Sequence, residues 1–393
     1  MTTPAGTSAA PARLAPLYMA GFVTAFGAHS VAAGIGADRT NLGLGLFALG
    51  VFLAVYDLAE IVLKPVFGTL SDRIGPKPVI VAGLTGFALV SLLGVWAVGP
   101  VELAVIRFLQ GAAASAFSPA SSASVSRLTD KSKAGTYFGR YGSWKGLGYA
   151  FGPIAAAVLL GTAGTPLLFG VLAGIATLSA VWVAIAVPPI PPLPRTRYTL
   201  VDLTKQVTDR SFLLPTIALA ATTAVLGAAT GLLPALGRSL GLNIYGATAA
   251  VTVLAIASAL CQPLVGKLRD SGRLTTSPGI SLGLGLLTSG LLVAALIPHP
   301  VAVFVAALVL GTGIGVVTPL AFSHLSATTP PQRIGRTMGT AEIGREAGDA
   351  AGPLLVGSIG SALGLPVGLV ALAALALTAG ALSLRLNPVR RTD

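Results

Sequence analysis

"FALGVFLAVYDLAEIVLKPVFGTLSDRIGPK", Phe47 to Lys77, decides the fold. Its first part is apolar for long enough to cross roughly 30 Å of hydrocarbon, yet Asp57, Glu60 and Lys64 stand inside the run. Charges within a membrane helix are costly, so they must face protein or a water-filled path. The run ends in a polar turn, and a second apolar run begins at Pro78. Long apolar segment, short basic turn and long apolar segment is the pattern of a helical protein that crosses a bilayer repeatedly.

Composition agrees with that reading. The 393 residues are 54% hydrophobic and only 10% charged, against about 25% charged in soluble domains. The 49 glycines and 27 prolines would break soluble helices, but inside a bilayer neighbouring helices and waters re-satisfy the freed backbone groups. The one cysteine, Cys261, allows no intramolecular disulfide and reads as a core thiol.

Apolar segments fall near 14–36, 43–69, 78–98, 101–126, 136–161, 166–188, 211–236, 243–268, 277–298, 300–327, 337–362 and 364–386. The first is too long for a cleaved signal peptide and is expected to remain as helix 1. The net charge of +12 could suggest nucleic-acid binding, but its distribution says otherwise. Counted alternately by side, 19 Lys and Arg residues fall on one side, Arg39 and Arg238 on the other, and four within spans. By the positive-inside rule both termini lie in the cytoplasm of a cell (inner) membrane protein. Basic charge here encodes topology, and no nucleic-acid partner is expected.

Pro188–Arg210, the longest hydrophilic stretch, divides the chain. The expected organisation is a tail at 1–13, a six-helix bundle at 14–188, a cytoplasmic linker with a short surface helix at 189–210, a second bundle at 211–386 and a tail at 387–393. The two halves repeat. Gly111, Pro119, Gly135, Gly139, Gly148, Gly152 and Pro153 recur 200 residues later as Gly311, Pro319, Gly335, Gly339, Gly348, Gly352 and Pro353, and "KPVFGTLSD" recurs as "QPLVGKLRD". A fixed register over some forty residues points to internal duplication. The fold class is therefore an all-α membrane protein with twelve transmembrane helices in two pseudo-symmetric six-helix bundles. In such transporters the substrate sits near mid-membrane between the repeats.

"GTLSDRIGPK" (Gly68–Lys77) is similar to the G-x-x-x-D-R-x-G-[RK] loop of the major facilitator superfamily, and "RFLQG" (Arg107–Gly111) resembles its R-x-x-Q-G signature. Gly139, Gly148, Gly152 and Pro153 follow a spacing associated with the family's antiporters, although Ala156 and Ala157 replace two further glycines of that pattern. The resemblance implies a cytoplasmic gate built from Gly68, Asp72, Arg73, Gly75 and Lys77, with Asp72 acting near the start of helix 11. Pro76 stands where relatives often carry a base. Arg107 is implied as a substrate-contact or coupling residue, against the alternative that it snorkels to the membrane surface. Gly148 and Gly152 form a small-xxx-small surface for close packing, and Pro153 permits a bend.

Ionisable residues concentrate in two stripes. Asp57, Glu60 and Lys64 share one face of helix 2, and Glu342, Arg345, Glu346 and Asp349 share one face of helix 11. In the family arrangement these helices face each other, which implies a charge network between moving halves; purely structural ion pairs are the alternative. Adjacent carboxylates away from water disfavour ionising together, so one is expected to carry a proton. Lys145 and Arg345 are pseudo-symmetric cations. The family arrangement offers Arg345 the acids of helix 2 and Lys145 no acid, so Lys145 is expected to meet an anionic substrate group or serve coupling.

These features predict a secondary active transporter: proton-coupled efflux of a small organic compound, or proton-linked uptake of an organic anion. A nontransporting membrane sensor or scaffold would share the hydropathy without needing the buried charge stripes. There is no HExxH, GxSxG, Walker-type loop or cluster with metal-ligand spacing, and His29, His299 and His324 are scattered. No enzyme activity, cofactor or metal is expected. The expected partners are a small molecule, protons and the lipid bilayer, and the expected state is a monomer.

Overall fold

The computed structural model describes residues 11–97, 99–128, 134–192, 208–271, 273–329 and 334–386. Most of the linker (193–207) and both tails, 1–10 and 387–393, lie outside them. The described residues are helices joined by short turns. In order these are α1 (Pro11–Asp38), α2 (Leu46–Ile74), α3 (Pro76–Gly94) and α4 (Pro100–Leu128). The stretch Ala134–Ala186 then contains α5 and α6, separated at Ala163 and Gly164, where the backbone leaves the helical region. The second half continues with α7 (Arg210–Ser239), α8 (Ile244–Asp270), α9 (Thr276–Leu296), α10 (Pro300–Thr328), α11 (Ile334–Leu363) and α12 (Leu365–Ser383).

Ten stretches among the described residues are long and apolar enough to span a bilayer, one of them being the 47-residue Arg140–Ala186 that holds the break between α5 and α6. The helix missing from that set is α11, which is long enough but carries Glu342, Arg345, Glu346 and Asp349. Its low hydropathy is therefore the mark of its charge stripe.

The duplication seen in sequence is a duplication of contacts. Gly148 and Gly152 of α5 face Phe22, Ala25, Phe26 and Ser30 of α1. In the second half Gly348 and Gly352 of α11 face Ala220, Thr223 and Ala224 of α7. Both seams place backbone against backbone, which only glycine allows. A third pair repeats the rule, with Gly83 of α3 on the Ala113 carbonyl of α4 and Gly283 of α9 on the Gly313 carbonyl of α10. The turns repeat too. Gly164 (φ 71°) precedes Pro166, and Gly364 (φ 92°) precedes Pro366. A positive φ suits glycine and the proline pre-sets the next helix.

Two compact units emerge from the packing. The first comprises α1 up to Val31, α2 from Leu58, and α3 to α6. Arg127 at the end of α4 donates to the Pro191 carbonyl, and Gly75 lies against the Ile190 carbonyl, so the segment after α6 is tied to the ends of α2 and α4. The second unit comprises α7 to α12 together with residues 32–57, the end of α1 and the start of α2. Within it Gly36 meets Gly231 of α7, Leu53 packs on Gly231, and Gly50 meets Pro353 and Gly357 of α11. Arg39 and Arg238, the two exceptions to the basic asymmetry, have structural work: each donates to a carbonyl of the turn after its helix, Leu44 and Leu242.

Candidate functional site

The α2 stripe lies on a helix that is apolar on either side of it. Glu60 is 4% exposed, and its Oε2 accepts an ion pair from Lys64 Nζ at 2.6 Å, one turn later on the same helix. Its other oxygen, Oε1, is buried and has no hydrogen-bond partner among the described residues. Asp57 lies one turn earlier on α2 and is partly exposed. A carboxylate held this way has one oxygen committed to an ammonium and one available to a proton or a ligand donor. Protonation would neutralise its half of the ion pair and change what Lys64 can hold.

The α11 stripe has the same local logic. Arg345 Nη1 lies 3.0 Å from both oxygens of Glu342, three residues earlier. Its guanidinium sits 5.7 Å from the centroid of Phe322 on α10, within cation–π range. The Arg345 carbonyl accepts from Thr223 Oγ1 of α7 at 2.5 Å. Asp349, one turn on, lies against Gly227 of α7, where a Cβ would collide with its carboxylate. Glu346 occupies the same face and is partly buried. Seated by glycine and threonine, this stripe is therefore fixed to α7.

A third polar group lies in the first unit, between α1, α4 and α5. Tyr141, Lys145 and Tyr149 follow each other at one-turn spacing on α5. Opposite them on α1 stand Tyr18, Gly21 and His29. The Tyr18 and Tyr141 rings meet edge on at 6.4 Å, the stem of Lys145 runs past Gly21, and the His29 and Tyr149 rings lie 4.3 Å apart. The rungs ascend together, so α1 and α5 run parallel. Tyr141 donates to the Ser118 carbonyl of α4 at 3.3 Å. Arg107 of α4 is 2% exposed, which places its guanidinium inside the protein rather than at the membrane surface. Next to it Gln110 donates to Ser91 of α3 at 2.9 Å.

The charged residues of the signature loop are exposed or partly so. Asp72 and Arg73 face solvent, Lys77 is partly exposed, and none of the three makes a hydrogen bond or ion pair among the described residues. A Cβ on Gly68 would meet nothing within 4 Å. Gly75 (φ 90°) provides the turn into α3, whose first residue is Pro76. Gly139 lies in the first turns of α5, and Pro153 follows the glycine seam on the same helix.

Sequence reasoning set aside the histidines, and the structure separates them. His299 caps α10 by accepting from Val301 N–H. His324 is buried near the end of that helix, where Arg269 donates to the Ser323 carbonyl at 3.4 Å. His29 alone joins a group of buried polar residues. The available signal was a single ionisable side chain amid the apolar run of helix 1, a pattern that marks function by default in a membrane span.

A model of the Major Facilitator Superfamily matches residues 17–353 and 217–393. Multidrug resistance protein MdtG of Escherichia coli O1:K1 / APEC is 29% identical over 142 residues, 36% of this chain and 35% of the relative. The match thus spans about a third of that relative's length. A bacterial homologue of the human lysosomal transporter Spinster, solved inward-facing and unoccupied, superposes with a TM-score of 0.79 at 14% identity over 95% of this chain and 96% of that one. A POT family transporter in complex with 5-aminolevulinic acid superposes with a TM-score of 0.81, also at 14% identity, over 96% of each chain. At such identity these structures speak for the fold.

Proposed function

The chain belongs to the Major Facilitator Superfamily, a family of multi-pass membrane transporters for small molecules, and from that premise we propose that it couples efflux of a small organic compound to proton entry by alternating access. The observation that carries the coupling is Glu60. It is a carboxylate buried in a membrane helix, paired on one oxygen to Lys64, its other oxygen buried with no hydrogen-bond partner among the described residues. A proton arriving there exchanges an ion pair for a neutral acid, and the helix faces compatible with each form differ. A proton that binds one conformation better than the other shifts the equilibrium between them. Asp57, one turn away on the same helix, is the second carboxyl of this coupling site, and Glu342, Arg345, Glu346 and Asp349 form a second charged stripe on α11. Efflux is the direction favoured by similarity to MdtG, whose name records multidrug resistance.

On this reading the protein works as a monomer in the inner membrane, and the basic asymmetry of its loops supports placing both termini in the cytoplasm. Asp72, Arg73 and Lys77 close the cytoplasmic gate in another conformation, their exposure here leaving them available for partners. The reading is tested by reconstituting the protein in liposomes with an imposed pH gradient. Flux of tetraphenylphosphonium and of benzoate is followed with and without an uncoupler. Flux that the uncoupler abolishes supports the proposal; flux indifferent to the gradient contradicts it.

A second reading, proton-linked uptake of an organic anion, is favoured by the cations inside the first unit, Arg107 and Lys145. It predicts accumulation of benzoate on the side that the gradient makes basic.

A further inference from the structure

Glycines stand near both ends of the two charged helices, and the two ends differ. At the start of α2 and the end of α11, Gly50 and Gly357 meet backbone to backbone. A Cβ on Gly50 would lie 2.4 Å from the Pro353 carbonyl oxygen and 3.2 Å from the Gly357 Cα, and one on Gly357 would lie 2.8 Å from the Leu46 carbonyl oxygen. Further along the same helices, Gly68 of α2 and Gly339 of α11 are open: a Cβ on either would meet nothing within 4 Å among the described residues. A helix-interior glycine that touches nothing weakens its helix without any packing gain. A contact made in another conformation would supply that gain.

The spacing relates the four glycines. Gly50 and Gly68 are 18 residues apart, as are Gly339 and Gly357. Both helices run unbroken across the interval, and 18 residues make five full turns, about 27 Å. Each pair therefore lies on one line along its helix, nearly the depth of a bilayer core of about 30 Å. At 100° per residue, Asp57 and Lys64 fall within about 40° of that line on α2, and Glu342 and Glu346 within about 60° of it on α11. Leu46 lies against Gly357, and Gly50, one turn on, lies against Pro353, so the helices meet antiparallel. The second glycine of each thus stands five turns from the contact in the same direction. Duplication does not account for the pattern, because Thr248 and Ala157 hold the pseudo-symmetric places of Gly50 and Gly357.

We propose that α2 and α11 form a seam with two glycine contact points that close one at a time: Gly50 with Gly357 in this conformation, and Gly68 with Gly339 in the alternate one. The charged side chains between the two points change neighbours as the seam rocks. This inference rests on the transporter reading and adds to it the backbone contacts that are exchanged, so that side-chain volume at four positions sets the balance between the conformations. On the proposed topology Gly50 and Gly357 are the outer contact.

The test uses the purified full-length protein in detergent, with Cys261→Ser and Leu53→Cys together as the parent. Leu53 is 4% exposed and packs on Gly231 beside the closed contact, so a cysteine there reacts with a maleimide when that contact opens. Gly50→Ala sets a methyl against the Pro353 carbonyl, which cannot rotate away. It speeds labelling about fivefold or more, and Gly357→Ala does the same. Gly68→Leu and Gly339→Leu clash with nothing in this conformation but obstruct the alternate contact. They slow labelling about fivefold or more at a site some five turns away. Gly174→Leu, at an open glycine of α6, labels at the parent's rate. Parent-rate labelling in Gly50→Ala and Gly357→Ala overturns the proposal. So does labelling of Gly68→Leu and Gly339→Leu at the parent's rate or faster, or an equal slowing by Gly174→Leu.

Should Gly50→Ala and Gly357→Ala fail to fold, the two leucine variants decide alone, since they add bulk where nothing is touched. Labelling needs neither substrate nor gradient, so the transporter reading fails separately. Opposite shifts in a protein without gradient-driven flux uphold the seam and remove the coupling, whereas gradient-driven flux with unshifted labelling removes only the seam.

Discussion

Adding a single methyl group at Gly148 tests the packing that positions the N-terminal polar group. A Cβ there would lie 2.8 Å from the Phe22 carbonyl, the Phe26 nitrogen and the Ala25 Cβ. That is about 0.8 Å inside ordinary contact, and two of the three obstacles are backbone, which cannot rotate away. Relief requires α1 and α5 to separate, loosening the Gly152, Tyr141 and Tyr149 contacts together. Overpacking of this kind costs about 1–3 kcal/mol, less up to about 1 kcal/mol regained from replacing a helical glycine with alanine. Gly142 and Gly146 on the same helix have nothing within 4 Å of an added Cβ, so there the propensity gain stands alone. In detergent, Gly148→Ala is expected to lower the apparent Tm by roughly 2–6 °C, with Gly142→Ala and Gly146→Ala unchanged or higher. Gly348→Ala, against the Ala220 carbonyl and Thr223, should behave as Gly148→Ala does. If all four variants shift alike, or Gly148→Ala is neutral, the glycine seams are not what holds α5 to α1 and α11 to α7.

Arg345→Gln removes the Nη1 contacts to both Glu342 oxygens and the Phe322 contact; with Glu342 43% exposed, thermal denaturation should show a loss of about 0.5–2 kcal/mol, and a variant as stable as the parent refutes a structural role. Lys145→Gln should show at least about tenfold slower flux in proteoliposomes, normal transport being the contrary result. Asp72→Asn alters an exposed residue without partners among the described residues, so its stability stays within about 0.5 kcal/mol. Its effect should appear in conformation, as faster labelling of cysteines placed in the cytoplasmic halves of α4 and α10. Parent-level labelling would mean that the loop is no gate.

Much of this architecture is legible from residues because lipid allows few solutions. The apolar runs and the 200-residue repeat each report on it, and the repeat proves to be physical: Gly148 and Gly348, Gly164 and Gly364 do the same work in their own halves. Spacing put Glu60 and Lys64 on one face of α2, and Glu342 and Arg345 on one face of α11, and among the described residues both pairs close within their own helices. Partners from other helices were harder to see. That Gly227 makes room for Asp349, or that Gly21 passes Lys145, depends on helix rotation and register, which periodicity within one helix does not contain. Arg107 shows the same limit. Its depth in the sequence allowed it to snorkel, and the neighbouring helices bury it. His29 carried the signal of an ionisable side chain inside an apolar run, but its ring partner Tyr149 comes from α5 and has no mark in the sequence of α1.

The central claim is that Glu60 couples a proton gradient to transport, and amide substitution in proteoliposomes tests it most directly. Flux of tetraphenylphosphonium or benzoate, whichever the wild-type protein carries, is measured under an imposed pH gradient and again as exchange without one. Glu60→Gln and Asp57→Asn should both lose gradient-driven flux, with exchange retained in at least one of them, because the amide cannot cycle between an ion pair and a neutral acid. Gradient dependence equal to wild type in both variants would contradict the account.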